Sequence, residues 1–408
     1  MEIELRPVPK EGIGELLRTA EAAFSDDVPE EITKRFERLL RPERTLAAFE
    51  GEDMVAATGT FDFTLTIPGG RARSAGVTIV GVLPTHRRRG IVKAMMQRQL
   101  EDCRDVGEAT AILWASEGAI YPNFGYGLAT EHVAMDLDRS SAIFRSSSAP
   151  VGRTRLVSHD EALKVLPVVY DRVAADTPGM FARSSEWWDD HRLPDPEKDR
   201  EGAGPMFRVV AEIDGSPEAY ALYRVRSSWG DDGIHDGTLE VIEAMGTSLE
   251  AEHTLWSFLF GVDLVDRIKS YFLPVDHRLK FILRDMRHLR LRIRDALWLR
   301  VVDVVQALEE RGYAGEGRLV FRLDDAFCPW NSGVWALDVS GGTASVTTSN
   351  DQPALSLTAE DLGALYLGGN TFAQLQRAGR VLELEASAVP AADDLFRLDR
   401  APWCPEIF

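Results

Sequence analysis

An apolar run, Val77-Thr-Ile-Val-Gly-Val-Leu83, passes through Pro84-Thr-His86 into Arg87-Arg-Arg89, Gly90 and the start of an amphipathic helix. A strand that feeds a helix through a glycine turn is the basic piece of an α/β fold, and here its junction is cationic. The first turn of a helix leaves backbone N–H groups unpaired at its positive dipole end. Gly90 lets a ligand approach that backbone with no Cβ in the way. The junction therefore reads as an anion cradle of pyrophosphate size. Taken alone, three arginines at such a corner also read as a solvated basic surface.

The following residues narrow the choice. Residues 109–116, Ala-Thr-Ala-Ile-Leu-Trp-Ala-Ser, form a second buried strand, bounded by Glu117-Gly118 and followed by Tyr121-Pro-Asn-Phe-Gly-Tyr126. The order strand, arginines and glycine, helix, strand, Tyr-x-x-x-Gly-Tyr resembles the acetyl-CoA signature of the GNAT N-acetyltransferase superfamily. One position departs from it, since Val92 stands where a small residue is usual. The resemblance implies acetyl-CoA as co-substrate. It places the pantetheine arm along the backbone of Val80, Gly81 and Val82, and the pyrophosphate at Arg87, Arg88, Arg89, Gly90, Ile91, Val92 and Lys93. Ser116 would be a further cofactor contact. Tyr121 would be the acid that protonates the departing thiolate, with packing as an aromatic beside Phe124 and Tyr126 as the lesser alternative.

A chain of 408 residues has room for two or three domains. With 65 acidic against 46 basic residues and a net charge of -19, it disfavours nucleic acid or an acidic membrane as partner and favours a cationic small molecule. Cys103, Cys328 and Cys404 lie far apart with no Cys-x-x-Cys spacing, so neither a metal site nor a disulfide framework is expected. The first residues carry no signal-peptide pattern, and no apolar run approaches the ~18 residues of a membrane span. A cytoplasmic protein is the expectation.

Residues 1–150 hold the first α/β pattern: a short strand, two amphipathic helices, a meander and the strand-helix-strand unit. A serine-rich stretch at 138–150 reads as a linker. Residues 151–289 echo the first unit weakly, with strands near 207–213, 218–225 and 237–244 and a helix near 254–262. Aligned on the strand-helix junction, Glu250 and Glu252 fall where the first copy has arginines, so this copy should not hold a pyrophosphate. Residues 290–408 begin with an expected helix at 296–308, followed by alternating strands and later helices, in an order similar to a sterol-carrier-protein fold. The expected class is thus α/β (α+β), two GNAT-like units in tandem and then a sterol-carrier-like domain. That plan, with Pro84-Thr-His-Arg-Arg-Arg-Gly90, the 115–127 segment around Tyr121 and Cys328-Pro-Trp-Asn331, resembles the enhanced intracellular survival (Eis) family of bacterial aminoglycoside N-acetyltransferases across nearly the whole chain.

Acetyl transfer to an amine also needs a base. His86 beside three arginines reads as a surface residue. The Eis resemblance implies that the base is a terminal carboxylate, here that of Phe408, brought into the first unit. The ending Trp403-Cys-Pro-Glu-Ile-Phe408 is apolar where termini are commonly polar and frayed, and its large side chains gain ~1.5–3 kcal/mol each from burial. Asp26, Asp27 and Glu406 are the candidate partners for a polycationic substrate, with simple solvation as the plainer explanation of each. The resemblance further implies a homohexamer. Acetylation of a peptide lysine, or a lipid carrier without catalysis, are the competing functions, and a carrier needs neither Tyr121 nor Phe408.

Overall fold

Three sheets organise residues 3–25, 29–146 and 149–408, which the computed structural model describes. The N-terminal part runs β1 (Ile3–Arg6), α1 (Ile13–Phe24), α2 (Glu30–Leu39), β2 (Thr45–Glu50), β3 (Asp53–Ile67), β4 (Gly70–Val82), α3 (Ile91–Asp105), β5 (Thr110–Trp114) and β6 (Gly127–Leu128). There follow β7 (Glu131–Asp138), β8 (Arg153–Leu156), α4 (His159–Ala175), α5 (Ser185–Trp187), β9 (Phe207–Ile213) and β10 (Ser216–Arg226). The middle part ends with β11 (Thr238–Gly246), α6 (Leu249–Gly261), β12 (Arg267–Pro274), α7 (Leu279–Ile282) and β13 (Arg292–Asp295). The last part is β14 (Leu297–Val301), α8 (Val304–Glu310), β15 (Gly317–Asp324), β16 (Gly333–Ser340), β17 (Thr343–Thr348) and β18 (Leu355–Thr358), then α9 (Ala359–Tyr366), α10 (Phe372–Arg377), β19 (Leu382–Glu383) and α11 (Ala388–Phe396).

The first sheet has the order β1-β2-β3-β4-β5-β14-β6, and the third has the order β17-β16-β15-β18-β19. Both belong to one unit, made of the chain up to Thr130 with Ala296–Pro402 and Ile407–Phe408. A second unit, Glu131–Asp295 with Trp403–Glu406, holds the sheet β13-β7-β12-β11-β10-β9-β8.

In the first sheet the helices follow from apolar spacing. Ile13, Leu16, Leu17 and Ala20 of α1 recur at helical period and are fully buried. Met95, Met96 and Leu100 of α3 do the same and pack with Val77, Leu113 and Val82. Two strands stand differently from the sequence reading. β7, read as part of the first unit, pairs with β12 and β13 in the second sheet. Leu297–Val301, read as the start of a helix, is instead the strand between β5 and β6. Its run Leu-Trp-Leu-Arg-Val is apolar enough to fit either period, and a strand covered on both faces needs no alternation. Only the residues after Asp303, whose side chain caps Val305 and Gln306, are helical.

Helix α9 lies directly on β6 and β14. A Cβ on Gly127 would come within 2.0 Å of the Glu360 carbonyl oxygen, and one on Gly363 within 2.2 Å of the Leu299 carbonyl oxygen. Two glycines therefore allow this close approach of backbone to backbone. Below it, Arg300 and Asp325 form a buried ion pair at 2.5 Å. Asn331 of the Cys-Pro-Trp-Asn segment donates to the Val301 and Val302 carbonyls and accepts from the Val304 N–H, so this segment is a clamp on β14 and α8.

Candidate active site

Strand β4 carries the site because it is bulged. Gly59 faces Thr78 and Ala57 faces Gly81, so one residue of β3 opposes two of β4, and Ile79 takes a positive φ of 50°. Its parallel ladder with β5 ends at Gly76 opposite Ile112. Beyond that point the two strands part, and the β5-facing edge of Val80, Gly81 and Val82 has no ladder partner among the described residues. An extended amide-bearing chain such as a pantetheine arm can pair there as an added strand.

Gly90, with φ of 81°, turns the chain into α3, and no side chain caps that helix. Arg88 is also left-handed, with φ of 63°. The N–H groups of Gly90, Ile91, Val92 and Lys93 are left to a ligand at the dipole's positive end. The three arginines divide their work. Arg87 turns back under the loop, where its Nη2 donates to the Ala23 carbonyl at 2.5 Å and its Nε to the Val82 carbonyl at 3.3 Å. It thus satisfies an end carbonyl of α1 and braces the bulged strand. Arg89 pairs with Glu50 at 2.6 Å, and His86 meets the same carboxylate at 3.2 Å. Together they hold Glu50 below the usual carboxylate range. Arg88 is exposed with no partner among the described residues, and it is the arginine left to meet an anion.

Tyr121 opens a 3-10 turn just after β5, closed by Gly125 at φ of 79°. It is 6% exposed and clusters with Val77, Leu113, Val80 and Val92, which sets it beside both the bulged strand and the cradle helix. Burial, with a smaller push from Glu117, raises its hydroxyl to about 12. Its ring meets Tyr126 edge-on at 5.9 Å. Tyr126 itself is fully buried and its hydroxyl has no hydrogen-bond partner among the described residues, so it is shut off from a reacting group.

On the opposite face of the sheet, Phe408 meets Phe63 edge-on at 4.8 Å. The Phe63 ring occupies the space above Gly76, the last β4 residue paired to β5. Phe36, Phe61 and Phe63 continue as an aromatic row with centroids 5.9 and 5.7 Å apart. Tyr121 therefore clusters with β4 and β5 residues near their parting, and Phe408 packs on the ring that stands over the last paired residue, Gly76. Sequence reasoning did not single out Phe63, Glu50 or Ala23. The Phe-x-Phe-x-Leu alternation of β3 was the available signal for the first, and the other two act through contacts 36 or more residues away in the chain.

The remaining expectations fare unevenly. Ser116 lies exposed just beyond β5. Asp26 and Asp27 lie outside the described residues. Glu406, read as a substrate-facing acid, is 2% exposed and already committed: Arg183 Nε reaches it at 2.5 Å and Trp187 Nε1 at 3.2 Å. The Arg183 guanidinium also forks onto Glu243 at 3.1 and 2.6 Å and lies over the Tyr170 ring at 3.9 Å. Trp403 joins this socket through hydrogen bonds to the Pro178 and Phe272 carbonyls. Glu406 is thus an anchor for the tail, because a carboxylate taken out of water must keep its cation.

In the second unit, β11 and α6 repeat the strand-helix junction with different chemistry. Ser248 caps α6 by accepting from the Ala251 N–H at 3.1 Å, where α3 has no cap. Glu250 and Glu252 sit inside the first helical turn and not in the preceding loop as aligned by sequence, and Glu252 pairs with Arg278 at 2.8 Å. This terminus is internally satisfied and acidic, both unfavourable to a pyrophosphate. Calorimetry with acetyl-CoA is expected to show one site per chain, and two sites of comparable affinity would reject this distinction.

Comparison with known proteins agrees with that layout. Residues 4–129 and 179–301 match models of the acetyltransferase (GNAT) domain, and residues 304–405 match a sterol carrier protein domain. An uncharacterized N-acetyltransferase of Streptomyces coelicolor is 41% identical over 389 residues, 93% of each chain. The N-acetyltransferase Eis of Mycobacterium tuberculosis is 31% identical over 393 residues, again 93% of each. Among solved structures, Eis1 of Mycobacterium abscessus superposes with a TM-score of 0.85 at 31% identity, covering 99% of this chain and 100% of its own. A GCN5-related N-acetyltransferase of Anabaena variabilis shares the fold at a TM-score of 0.85 and 20% identity, over the full length of both chains. The chain belongs to the Eis-like N-acetyltransferases of the GNAT superfamily.

Proposed function

We propose that this enzyme transfers the acetyl group of acetyl-CoA to an amine of a polycationic small molecule of the aminoglycoside class, with Tyr121 as general acid and the Phe408 carboxylate as general base. The observation that supports the reading is that Tyr121 clusters with Val77, Val80 and Leu113 of β4 and β5, while Phe408 packs on Phe63, whose ring stands over Gly76, the last β4 residue paired to β5. The carboxylate takes a proton from the acceptor ammonium, and the freed amine attacks the thioester carbonyl carbon. As the C–S bond breaks, the Tyr121 hydroxyl gives its proton to the thiolate sulfur. The second proton on the new amide nitrogen then passes through solvent to the Tyr121 phenolate, and the carboxylate releases its proton to solvent, so both groups are restored. The raised pKa of Tyr121 supports its role as acid, since the proton is still in place throughout the neutral range. The bulged edge and the uncapped α3 terminus hold the thioester still, which is the larger part of what a bisubstrate enzyme must do.

The acidic excess of the chain supports a cationic acceptor, as does the Eis resemblance. A thiol-release assay over aminoglycosides, linear polyamines and lysine peptides tests the substrate class. Turnover of the polycationic small molecules is expected, with KM rising as salt screens the attraction. Acetylation of the peptides alone would overturn this reading.

A further inference from the structure

The second sheet ends in a free edge with an unusual charge. Among the described residues β13 pairs only with β7, placing Arg292 opposite Ala134 and Arg294 opposite His132. On the other side of β7, β12 sets Lys269 opposite Asp136, and the register then slips between Ser270 and Leu273, which brings Tyr271 alongside Ala134. Ala134 lies in a depression lined by Lys269, Tyr271, Arg290, Arg292 and Arg294, with the Asp136 carboxylate also in its wall. Its volume is about 70 Å³. That is far below the ~300–1,000 Å³ of a drug-sized pocket and suits one small group.

The acids nearby are already used. Asp136 pairs with Arg267 at 2.8 Å, and Asp138 with Arg290 at 3.1 Å. Lys269, Arg292 and Arg294 have no ion-pair partner among the described residues. Three uncompensated cations converging on one depression are unexpected in a chain of net charge -19, where acidic residues outnumber basic ones 65 to 46. Their mutual repulsion is relieved by an anion between them. Tyr271, 45% exposed, adds a hydroxyl that can donate to the same guest.

We propose that this face of the second unit is a binding site for a phosphate-sized anion, separate from the acetyl-CoA cradle of the first unit. The guest is a phosphoryl group, either free or at the end of a larger molecule, because guanidinium forks and an ammonium are the groups that recognise its several oxygens. The site stands independently of the acceptor and of the catalytic residues.

The test is calorimetry at low ionic strength on the full chain, with CoA saturating the first unit, using inorganic phosphate in one titration and phenyl phosphate in another. Both the wild type and the Lys269→Gln/Arg292→Gln double variant are titrated. Saturable binding is expected in the wild type, weakened by about tenfold or more in the variant through loss of charge-assisted hydrogen bonds. Acetyl-CoA affinity and acetyl transfer should be the same in both proteins. Equal affinity for the two probes would identify the free anion as guest, and binding of phenyl phosphate alone would identify a phosphoryl group on a larger molecule. No saturable binding of either probe, or binding that the double variant leaves unchanged, would overturn the proposal.

Discussion

Tyr121→Phe is expected to lower kcat by about 10²–10⁴-fold, the usual worth of general acid catalysis, while acetyl-CoA affinity stays close to the wild-type value. The substitution keeps the ring in its cluster with Val77, Leu113 and Val80, so the fold and the cradle are undisturbed. What disappears is a hydroxyl that makes no hydrogen bond among the described residues and whose proton burial holds to about 12. The pH profile gives a second readout. Because the neutral form is the donor and its pKa is raised, no alkaline loss of kcat assignable to Tyr121 should be seen below roughly pH 11, an offset of one unit below that value. Steady-state kinetics with a separate binding titration check the split. A Phe variant with wild-type turnover would remove Tyr121 from the reaction, and Tyr126 would not replace it, since that hydroxyl is fully buried.

The sequence made this site legible where the chemistry is local. A glycine at a strand-helix junction and an uncapped helix start belong to adjacent residues, and Gly90 with Ile91 to Lys93 stands as those rules expect. Arg87 shows the limit. Its charge invites an anion, yet its guanidinium serves the carbonyl of Ala23, 64 residues earlier, and nothing near Arg87 in sequence announces that partner. Glu406 shows the same limit from the opposite direction. An acid two residues from the chain's last residue reads as solvated or substrate-facing until Arg183, 223 residues away, is seen to hold it.

Strand placement failed for a different reason. Leu297–Val301 and Glu131–Asp138 carry the right apolar content, but pattern alone does not say which sheet a strand joins. The Leu-Trp-Leu-Arg-Val run fits helical spacing into Val304 and Leu308, and only its pairing on both edges with β5 and β6 decides for a strand. In the structure Trp187 donates to Glu406 and Trp188 faces the Arg183 guanidinium at 4.6 Å, so they build the socket that holds the tail. With Glu406 buried against Arg183, the Phe408 carboxylate is the tail group proposed for the chemistry.

That carboxylate is the centre of the account, and the chain extended past Phe408 by a short glycine-serine segment tests it most directly. The extension turns the Phe408 carboxylate into an amide and carries the charge away, while the ring remains free to pack on Phe63. Thermal stability and acetyl-CoA affinity should be retained, because the cradle at Gly90 and the Arg183 socket are untouched. At neutral pH kcat is predicted to fall by about 10²–10⁴-fold. The deficit should shrink as pH rises towards the acceptor amine's own pKa, where solvent supplies the free amine without a base. The measurement is kcat against pH for both proteins, with intact mass confirming that the extension is still attached. A large neutral-pH loss that narrows in alkali is the predicted result. Full activity of the intact extended enzyme at neutral pH would contradict the assignment of Phe408 as the base.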